Sequence, residues 1–224
     1  MSQTIEHIVL FKVKSNTDPI KITTMINGLN SLTSLSQVLH LSAGPIHRNK
    51  SLNPSFNFTH MLHSRYKTKE DLGNYSAHPD HLGVVKQSVL PICDDIMAVD
   101  WVSNLDEDEP VVVHPTAGSV MRLNLLKLKE GLGDSEKGEI LKVIKGLKDK
   151  FSGIKQLSVG ENFSPARAKG FSIASIGVFY GLSELDELDL NEEIVKEQKE
   201  KVRDLLESVI VVDYVLQSPQ SASL

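Results

Sequence analysis

The stretch YSAHPDHLG, Tyr75 to Gly83, places a tyrosine and two histidines within seven residues. Pro79 removes a backbone donor and disfavours helical geometry at His78, so a new helix is predicted to begin at Pro79, with His81 in its first turn. The positive end of the helix dipole disfavours an imidazolium there, and His81 is therefore predicted to stay neutral near pH 7. A neutral imidazole can remove a proton from an activated methylene while the hydroxyl of Tyr75 binds the developing enolate.

Plainer interpretations of the same residues stay open. A histidine directly before a proline, like His78, is typical of a turn or a helix cap. Tyr75 and His81 are also consistent with a hydrogen-bonded pair that closes the mouth of a barrel, or with ligand contact without catalysis. A catalytic zinc held by His7, His78 and His81 is not expected, because no carboxylate is spaced with these histidines.

Composition excludes several classes of protein. The 224 residues carry a formal charge of -5, which argues against a nucleic-acid partner, since phosphate binding needs a basic face. No apolar run reaches the length of a membrane span. The start MSQTIEHIVLF lacks the basic and apolar regions of a secretory signal. The single cysteine, Cys93, excludes internal disulfides and cysteine metal clusters and fits a reducing compartment.

The chain also repeats itself. Four landmarks recur in the same order at offsets of 113–116 residues: VLFKVK (9–14) with NLLKLK (124–129), LHLSAG (39–44) with KQLSVG (155–160), SFNFTHML (55–62) with GFSIASIG (170–177), and MAVDW (97–101) with VVDY (211–214). The repeat predicts two homologous halves, 3–102 and 117–216. An acidic, proline-containing linker at 103–116, which includes His114, joins them. The polar residues 217–224 are predicted to form a flexible tail.

Hydrophobic periodicity gives each half the order β-α-β-β-α-β, a ferredoxin-like α+β unit. In the first half the predicted elements are strands at 5–14, 37–45, 55–66 and 95–102, a helix capped by Thr17 or Asp18 with Pro19 at its first position, and a helical region at 68–92 interrupted at Pro79. In the second half the first helix carries Ile140, Ile144, Leu147 and Phe151, and the second covers 191–207. His60 and His63 are predicted to point away from the pocket or to pair with helix residues.

Two such sheets can pack face to face and edge to edge into one barrel, which removes exposed strand edges. Because one chain supplies both halves, we expect an intramolecular pseudo-dimer, with a further homodimer as an open possibility.

The segments EHIVLFKVK, FTHMLHSRY, YSAHPDH and VDW resemble the stress-responsive dimeric A/B barrel domain, in the tandem form found in plants. A plant polyketide cyclase of this family closes a linear polyketide thioester by an intramolecular aldol reaction. The resemblance implies a catalytic His81, a catalytic Tyr75 and no required cofactor. It implies a small apolar metabolite as partner, in contact with His7, Val9, Phe11 and Leu62.

The resemblance departs from the cyclase on the first helix, where Ile22 and Ile26 replace aromatic pocket residues, so the cyclase's own substrate is in doubt. Some relatives hold a magnesium ion with backbone carbonyls near the end of this helix, which implies a weak structural site at Leu29, Leu32 and Leu35. Helix-terminal carbonyls carry partial negative charge and lack internal partners, as such a site requires.

The second half lacks this chemistry. Arg122 stands at the place of His7, and DLNEEIVKEQKEK replaces YSAHPDH without a tyrosine, histidine or proline. The second half is therefore predicted to be a structural partner whose site is degenerate, and NEEIVKEQKEK a solvated helix face.

Two functions follow as hypotheses. The first is a polyketide-cyclase-like enzyme acting on an apolar or phenolic metabolite, and the second is a non-catalytic stress-response protein that binds an apolar ligand or a protein. A deep pocket at His81 and Tyr75 would favour the enzyme, and a cavity filled by Phe11 and Leu62 would favour the binder. The ending Ala-Ser-Leu keeps the small-x-Leu outline of a peroxisomal address, so the peroxisome is the expected location, with the cytosol as the alternative.

Overall fold

The computed structural model describes residues 2–51, 53–105 and 118–216. Most of the predicted linker, with its acidic run and His114, and the whole predicted tail lie outside the described residues. The linker, the tail and the peroxisomal location therefore stay predictions.

The first half has the predicted order of elements with one short additional strand. Its elements are β1 (Ser2–Val13), α1 (Pro19–Ser31), β2 (Val38–Pro45), β3 (Arg48–Asn49), β4 (His60–Tyr66), α2 (Lys69–Ala77), α3 (Pro79–Val84) and β5 (Cys93–Leu105). The second half repeats it with β6 (Val120–Leu128), α4 (Asp134–Lys145), α5 (Leu147–Lys150), β7 (Ile154–Glu161), β8 (Ile173–Phe179), α6 (Leu182–Leu190), α7 (Glu192–Val202) and β9 (Leu206–Val215). Two ferredoxin-like halves are confirmed.

The strands form two antiparallel sheets that meet at two places. The first sheet has the order β2-β4-β1-β5 and the second has the order β3-β9-β6-β8-β7. The first half thus places β3 beside β9 of the other half, and Trp101 at the opposite edge forms a bridge with Asn162. The pairing describes two joined sheets, and a fully closed barrel stays a prediction.

The core between the two sheets draws on both halves. Strand alternation sends one set of side chains to this shared core, among them Ile8, Met61 and Trp101 from the first half and Leu123 and Tyr214 from the second. The other set packs under the helices of its own half. Burying apolar surface from both halves in one core stabilises their association by about 25 cal/mol per Å² removed from water.

Local boundaries follow the capping residues. Asp18 caps α1 with Pro19 at its first position, as predicted. The predicted strand start at 55 is wrong: Asn53 accepts a hydrogen bond from the backbone of Ser55, and Pro54–Phe56 forms a 3-10 turn before β4. The predicted helix at 191–207 is too long, because α7 ends at Val202 and β9 already begins at Leu206. Among the helices of the described ranges, none is long and apolar enough to cross a bilayer.

Candidate active site

The break between α2 and α3 places His81. His78 ends α2 and caps α3, and its Nδ1 accepts a hydrogen bond from the backbone nitrogen of Asp80 at 3.2 Å. The plain interpretation of His78 as a cap is therefore correct. Pro79 starts α3, as predicted, and His81 lies in its first turn.

The tautomer of His81 follows from its hydrogen bond. Its Nδ1 lies 3.0 Å from the carbonyl oxygen of Ser76. Because a carbonyl only accepts, Nδ1 carries the proton and Nε2 keeps a lone pair. Burial lowers the pKa of His81, the Ser76 carbonyl opposes this shift, and the positive potential of His7, Arg167 and His78 adds to it. The neutral form of His81 was predicted from the helix dipole, whereas the leading cause of its lowered pKa is burial.

Tyr75 lies between two histidines at the end of α2. Its ring centroid is 4.6 Å from that of His81 and 6.4 Å from that of His7. The ring centroid of Tyr66 of β4 lies 5.1 Å from that of Tyr75. Burial raises the pKa of Tyr75 to about 12, and a hydrogen bond with Tyr66 partly opposes this. Tyr75 is therefore a protonated phenol at neutral pH, able to donate a hydrogen bond.

His7 is held by a carboxylate on the neighbouring strand. It faces Asp100 of β5 in the strand register, and its Nδ1 lies 2.5 Å from Asp100 Oδ1. Burial alone would raise the pKa of Asp100, but the hydrogen bonds with His7 and Ser164 and the charge of Arg167 lower it. An ionised Asp100 accepts the Nδ1 proton and fixes the orientation of the His7 ring.

A segment of the second half holds Asp100 from outside. Here we call residues 162–167 the strap. The backbone nitrogen of Phe163 donates to the Asp100 carbonyl at 2.9 Å, and the Asp100 nitrogen donates to Asn162 Oδ1 at 3.1 Å. Ser164 lies close enough to the carboxylate of Asp100 to help lower its pKa. Phe163 packs against the apolar cluster that contains Tyr66 and Tyr75, with Lys69 Nζ 4.1 Å from its ring centroid.

The apolar residues implied for the pocket lie beside this array. Val9 faces Leu62 in the β1–β4 register, two residues along each strand from the pair His7–Ser64. Phe11 and Leu62 are buried, and Val9 is half-buried in the same cluster. Ile22 and Ile26 of α1 cover this cluster. The side chains of Val9, Phe11 and Leu62 thus pack in the same cluster as Tyr75, and the ring of His7 lies beside Tyr75.

Open space lies elsewhere on the surface. A cavity of about 440 Å³ is lined by residues of α6, α7 and the following turn, namely Asp189, Glu192, Val195, Lys196, Lys199, Glu200 and Arg203. Another of about 170 Å³ is lined by Lys21, Thr24, Gln87, Ser88, Pro91 and Ile92. Neither cavity touches Tyr75 or His81, and Tyr75 is only 1% exposed. The array is therefore packed among protein side chains in this structure.

The corresponding place in the second half holds an ion-pair cluster. Arg122 faces Asp213 as His7 faces Asp100, with Nε 2.7 Å from the carboxylate. Its other nitrogens contact Asp189 at the end of α6 at 2.5 and 2.9 Å. Lys50 of the first half adds an ion pair to Asp189 at 2.5 Å. This site therefore has a charge-paired guanidinium in the place of the imidazole of His7.

His63 and His60 lie away from the array. His63 points between the sheets, where its Nε2 is 2.6 Å from Glu6, and Arg65 also binds Glu6 at 3.0 Å. Its partner is thus a strand residue, which agrees with the predicted alternative that His63 points away from the pocket. His60 contacts Thr59 Oγ1 at 2.9 Å.

The carbonyls predicted for magnesium lie along one turn. Those of Leu29, Leu32 and Leu35 each accept a backbone hydrogen bond, from Leu32, Leu35 and Val38 respectively. Each carbonyl keeps a second lone pair, so the oxygens fit a hard cation that retains most of its waters. The expectation that these carbonyls lack internal partners is wrong, and a structural magnesium ion here stays a prediction. Within the described ranges, no three His, Cys, Asp or Glu side chains cluster as metal ligands.

Sequence reasoning missed Asp100, Tyr66 and the strap. Asp100 was visible as the centre of the VDW segment, but its place opposite His7 depends on strand register, which alternation alone does not give. Tyr66 ends the FTHMLHSRY segment. The strap had no signal, because its role depends on a contact between the halves.

The chain is similar to known proteins along its whole length. The profile of the stress responsive A/B barrel domain matches residues 5–103 and 120–216. One stress-response A/B barrel domain-containing protein of Arabidopsis thaliana is 60% identical over 224 residues, which are 100% of this chain and 83% of that protein. A second protein of the same description and organism is 48% identical over 215 residues, 96% of this chain and 97% of that protein.

A solved structure of an anthrone oxidase-like protein superimposes with a TM-score of 0.61 at 11% identity, covering 100% of this chain and 98% of that chain. At that identity the likeness shows the fold alone. Together with the two ferredoxin-like halves, these matches establish that the chain belongs to the stress-responsive A/B barrel domain family and carries the domain twice.

Proposed function

We propose that the first half is a polyketide-cyclase-like enzyme that acts on a small apolar or phenolic metabolite. His81 Nε2 takes a proton from a carbon beside a carbonyl, and the enolate carbon attacks a second carbonyl of the same molecule. The new C–C bond leaves an alkoxide, which recovers the proton from His81. No cofactor or co-reactant enters this balance, and magnesium has no part in it.

The observation that carries the proposal is the contact array of His81, Tyr75 and His7. Each histidine has its Nδ1 hydrogen-bonded, His81 to Ser76 and His7 to Asp100, which orients both rings and leaves Nε2 of His81 as the base. Tyr75 lies between the two rings as a protonated phenol. A base and a hydrogen-bond donor on opposite sides of one substrate position are what enolate formation needs.

Substrate entry requires movement at α3. Val84 of this short helix packs against Gly28 of α1 so closely that a Cβ on Gly28 would lie 3.2 Å from Val84 Cγ1. The π-helical turn Val85–Val89 follows α3, and such turns are often found at functional sites. A small displacement of α3 would separate His81 from Tyr75 and admit a ligand between them.

The test is an untargeted mass-spectrometric screen of plant metabolite extracts. Wild type is compared with His81→Ala and Tyr75→Phe, and circular dichroism verifies the fold of each. We expect substrate depletion by wild type to fall by about 10²–10⁴-fold in His81→Ala. Turnover that persists in both variants would remove the catalytic role.

A second candidate function is ligand binding without catalysis, with an apolar metabolite or a protein as partner. It is favoured by the packed state of the array, in which Phe11 and Leu62 are buried and the described cavities lie elsewhere. Saturable binding of an apolar metabolite that emerges chemically unchanged, equally in wild type and His81→Ala, would select this candidate.

A further inference from the structure

We propose that the strap of the second half is part of the first-half site, and that Arg167 binds an anionic group carried by the ligand. This inference rests on the proposed site but concerns recognition, so it can hold where turnover fails. It also gives the second half a role beyond that of a structural partner.

The first step is that the strap is fixed in place at the site. Its backbone and side chains hold both sides of Asp100, through Asn162, Phe163 and Ser164. Asn162 also donates to the carbonyl of Phe171 at 3.2 Å, which ties the strap to its own half. A segment so bonded presents its next residues in a defined position.

The second step is that Arg167 lies beside the strand of Asp100 and has no ion-pair partner among the described residues. The 3-10 turn Pro165–Arg167 packs against β5, the strand of Asp100. The strap bonds to the backbone of Asp100 directly before this turn, and the charge of Arg167 lowers the pKa of both Asp100 and His81. Within the described ranges, no carboxylate lies within ion-pair distance of Arg167, which is exposed.

The third step is the sign of the local charge. Lys69 sits over the ring of Phe163 at 4.1 Å, so a second cation lies beside the strap in addition to the strap's own Arg167. Asp100, the carboxylate of the array, is already bonded by His7. Phe163 adds apolar surface, and a guanidinium binds carboxylate or phosphate with paired hydrogen bonds. The ligand class is therefore an apolar ring or chain with one anionic group.

The corresponding segment of the first half performs the same task on the other site. The backbone nitrogen of His47 donates to the carbonyl of Asp213 at 2.8 Å, as Phe163 does to Asp100. There, however, Arg48 uses its guanidinium on Asp186 and Asp213 of the protein itself. Arg48 is thus paired with carboxylates of the protein. Arg167 has no such pair among the described residues and can bind a ligand.

The experiment is an NMR titration of the His81 ring signal, assigned with His81→Asn, in the full chain. Probes are 1-naphthoate, 1-naphthyl phosphate and the neutral naphthalene-1-carboxamide. The groups that face His81 are Tyr75, His7, His78 and Arg167, and only Arg167 is changed. We expect the anions to bind and raise the pKa of His81, and Arg167→Gln to raise it without ligand. Carboxylate and phosphate affinities identify which anion the site prefers.

Arg167→Gln should weaken binding of the preferred anion by about tenfold, whereas Arg167→Lys should retain most of it. The matched control is Arg203→Gln, an exposed arginine beside Asp204 at 3.4 Å, which should leave binding unchanged. Equal affinity for the carboxamide, no binding by either anion, or undiminished binding in Arg167→Gln would each overturn the proposal. If binding depends on Arg167 but the protein shows no turnover, the proposed anion site is supported and the proposed enzymatic function is rejected.

Discussion

Arg122 lies in the second half where His7 lies in the first, each facing an aspartate on the neighbouring strand: Asp213 for Arg122 and Asp100 for His7. The acid is present in both halves, and only its partner differs. The histidine bonds its aspartate through Nδ1, whereas the arginine uses its donors on Asp213 and Asp189. One fold thus carries a histidine–aspartate pair in one half and an arginine–aspartate cluster in the other.

Removing this cluster should cost stability. Arg122→Met leaves the fully buried Asp213 with only the longer contact to Arg48, at 3.3 Å. We expect the free energy of unfolding to fall by about 3 kcal/mol, since an uncompensated buried charge is costly. Urea unfolding followed by circular dichroism measures this. Arg203→Met, on the surface, should change it by less than about 0.5 kcal/mol, and an equally small change in Arg122→Met would show that Arg48 alone sustains Asp213.

Asp100 should control the tautomer of His7. With the ionised carboxylate 2.5 Å from Nδ1, we expect the ring to carry its proton on that nitrogen. Asp100→Asn removes the charge that selects this tautomer, so the ¹⁵N shifts of the His7 ring should move toward a mixture of the two forms. For a substrate found in the metabolite screen, turnover should fall by roughly 10²-fold or more.

The control is Asp95→Asn, on the same strand, where the carboxylate pairs with Lys169 at 2.9 Å. It should leave the His7 spectrum unchanged. An unaltered His7 tautomer in Asp100→Asn would show that other contacts orient the ring.

Sequence patterns could predict the repeated halves because each landmark is local. Alternation marks a strand, and a proline marks the start of α3, whatever the rest of the chain does. The pairing of His7 with Asp100 spans 93 residues, and the hold of the strap on Asp100 spans the two halves. These contacts depend on register and on sheet-to-sheet placement, which no local pattern encodes. The burial of Glu6 was likewise not predicted, because a buried charge can be recognised only when the residues that pair with it are known.

Glu6 should make stability depend on pH. Burial would raise its pKa, but Arg65 and His63 together lower it to about 2 from an ordinary value of 4.5. A carboxyl whose pKa is lower in the folded state stabilises the fold above about pH 5, and this stabilisation is lost as pH falls toward 2. The difference corresponds to about 3 kcal/mol.

Glu6→Gln tests this dependence through unfolding free energies measured between pH 5 and pH 2. The variant should be less stable than wild type at pH 7, because it leaves Arg65 buried without a carboxylate, and its loss of stability on acidification should be smaller. Glu187→Gln, an exposed acid, should follow the wild-type curve. Parallel curves for Glu6→Gln and wild type would contradict the role of Glu6.

Two glycines, one in each half, make room for an aromatic residue of the other half. A Cβ on Gly160 would lie 2.7 Å from Trp101 Cδ1 and 2.8 Å from the carbonyl oxygen of Val102, and one on Gly44 would lie 3.1 Å from Tyr214 Oη. The repeat aligns SAG with SVG and VDW with VDY. The two glycine–aromatic contacts are therefore equivalent, and each runs from one half to the other. Trp101 also donates to Ser158 Oγ at 2.9 Å across the halves.

Gly160→Ala should therefore destabilise the protein by about 1–3 kcal/mol, because the backbone carbonyl of Val102 cannot yield. Gly44→Ala should cost less, since the side chain of Tyr214 can shift by a few tenths of an ångström. Gly138→Ala is the matched control: nothing lies within 4 Å of its added Cβ, and a mid-helix alanine should stabilise by about 0.5–1 kcal/mol. Thermal unfolding ranks the three, and a neutral Gly160→Ala would mean that the two halves are free to separate at this edge.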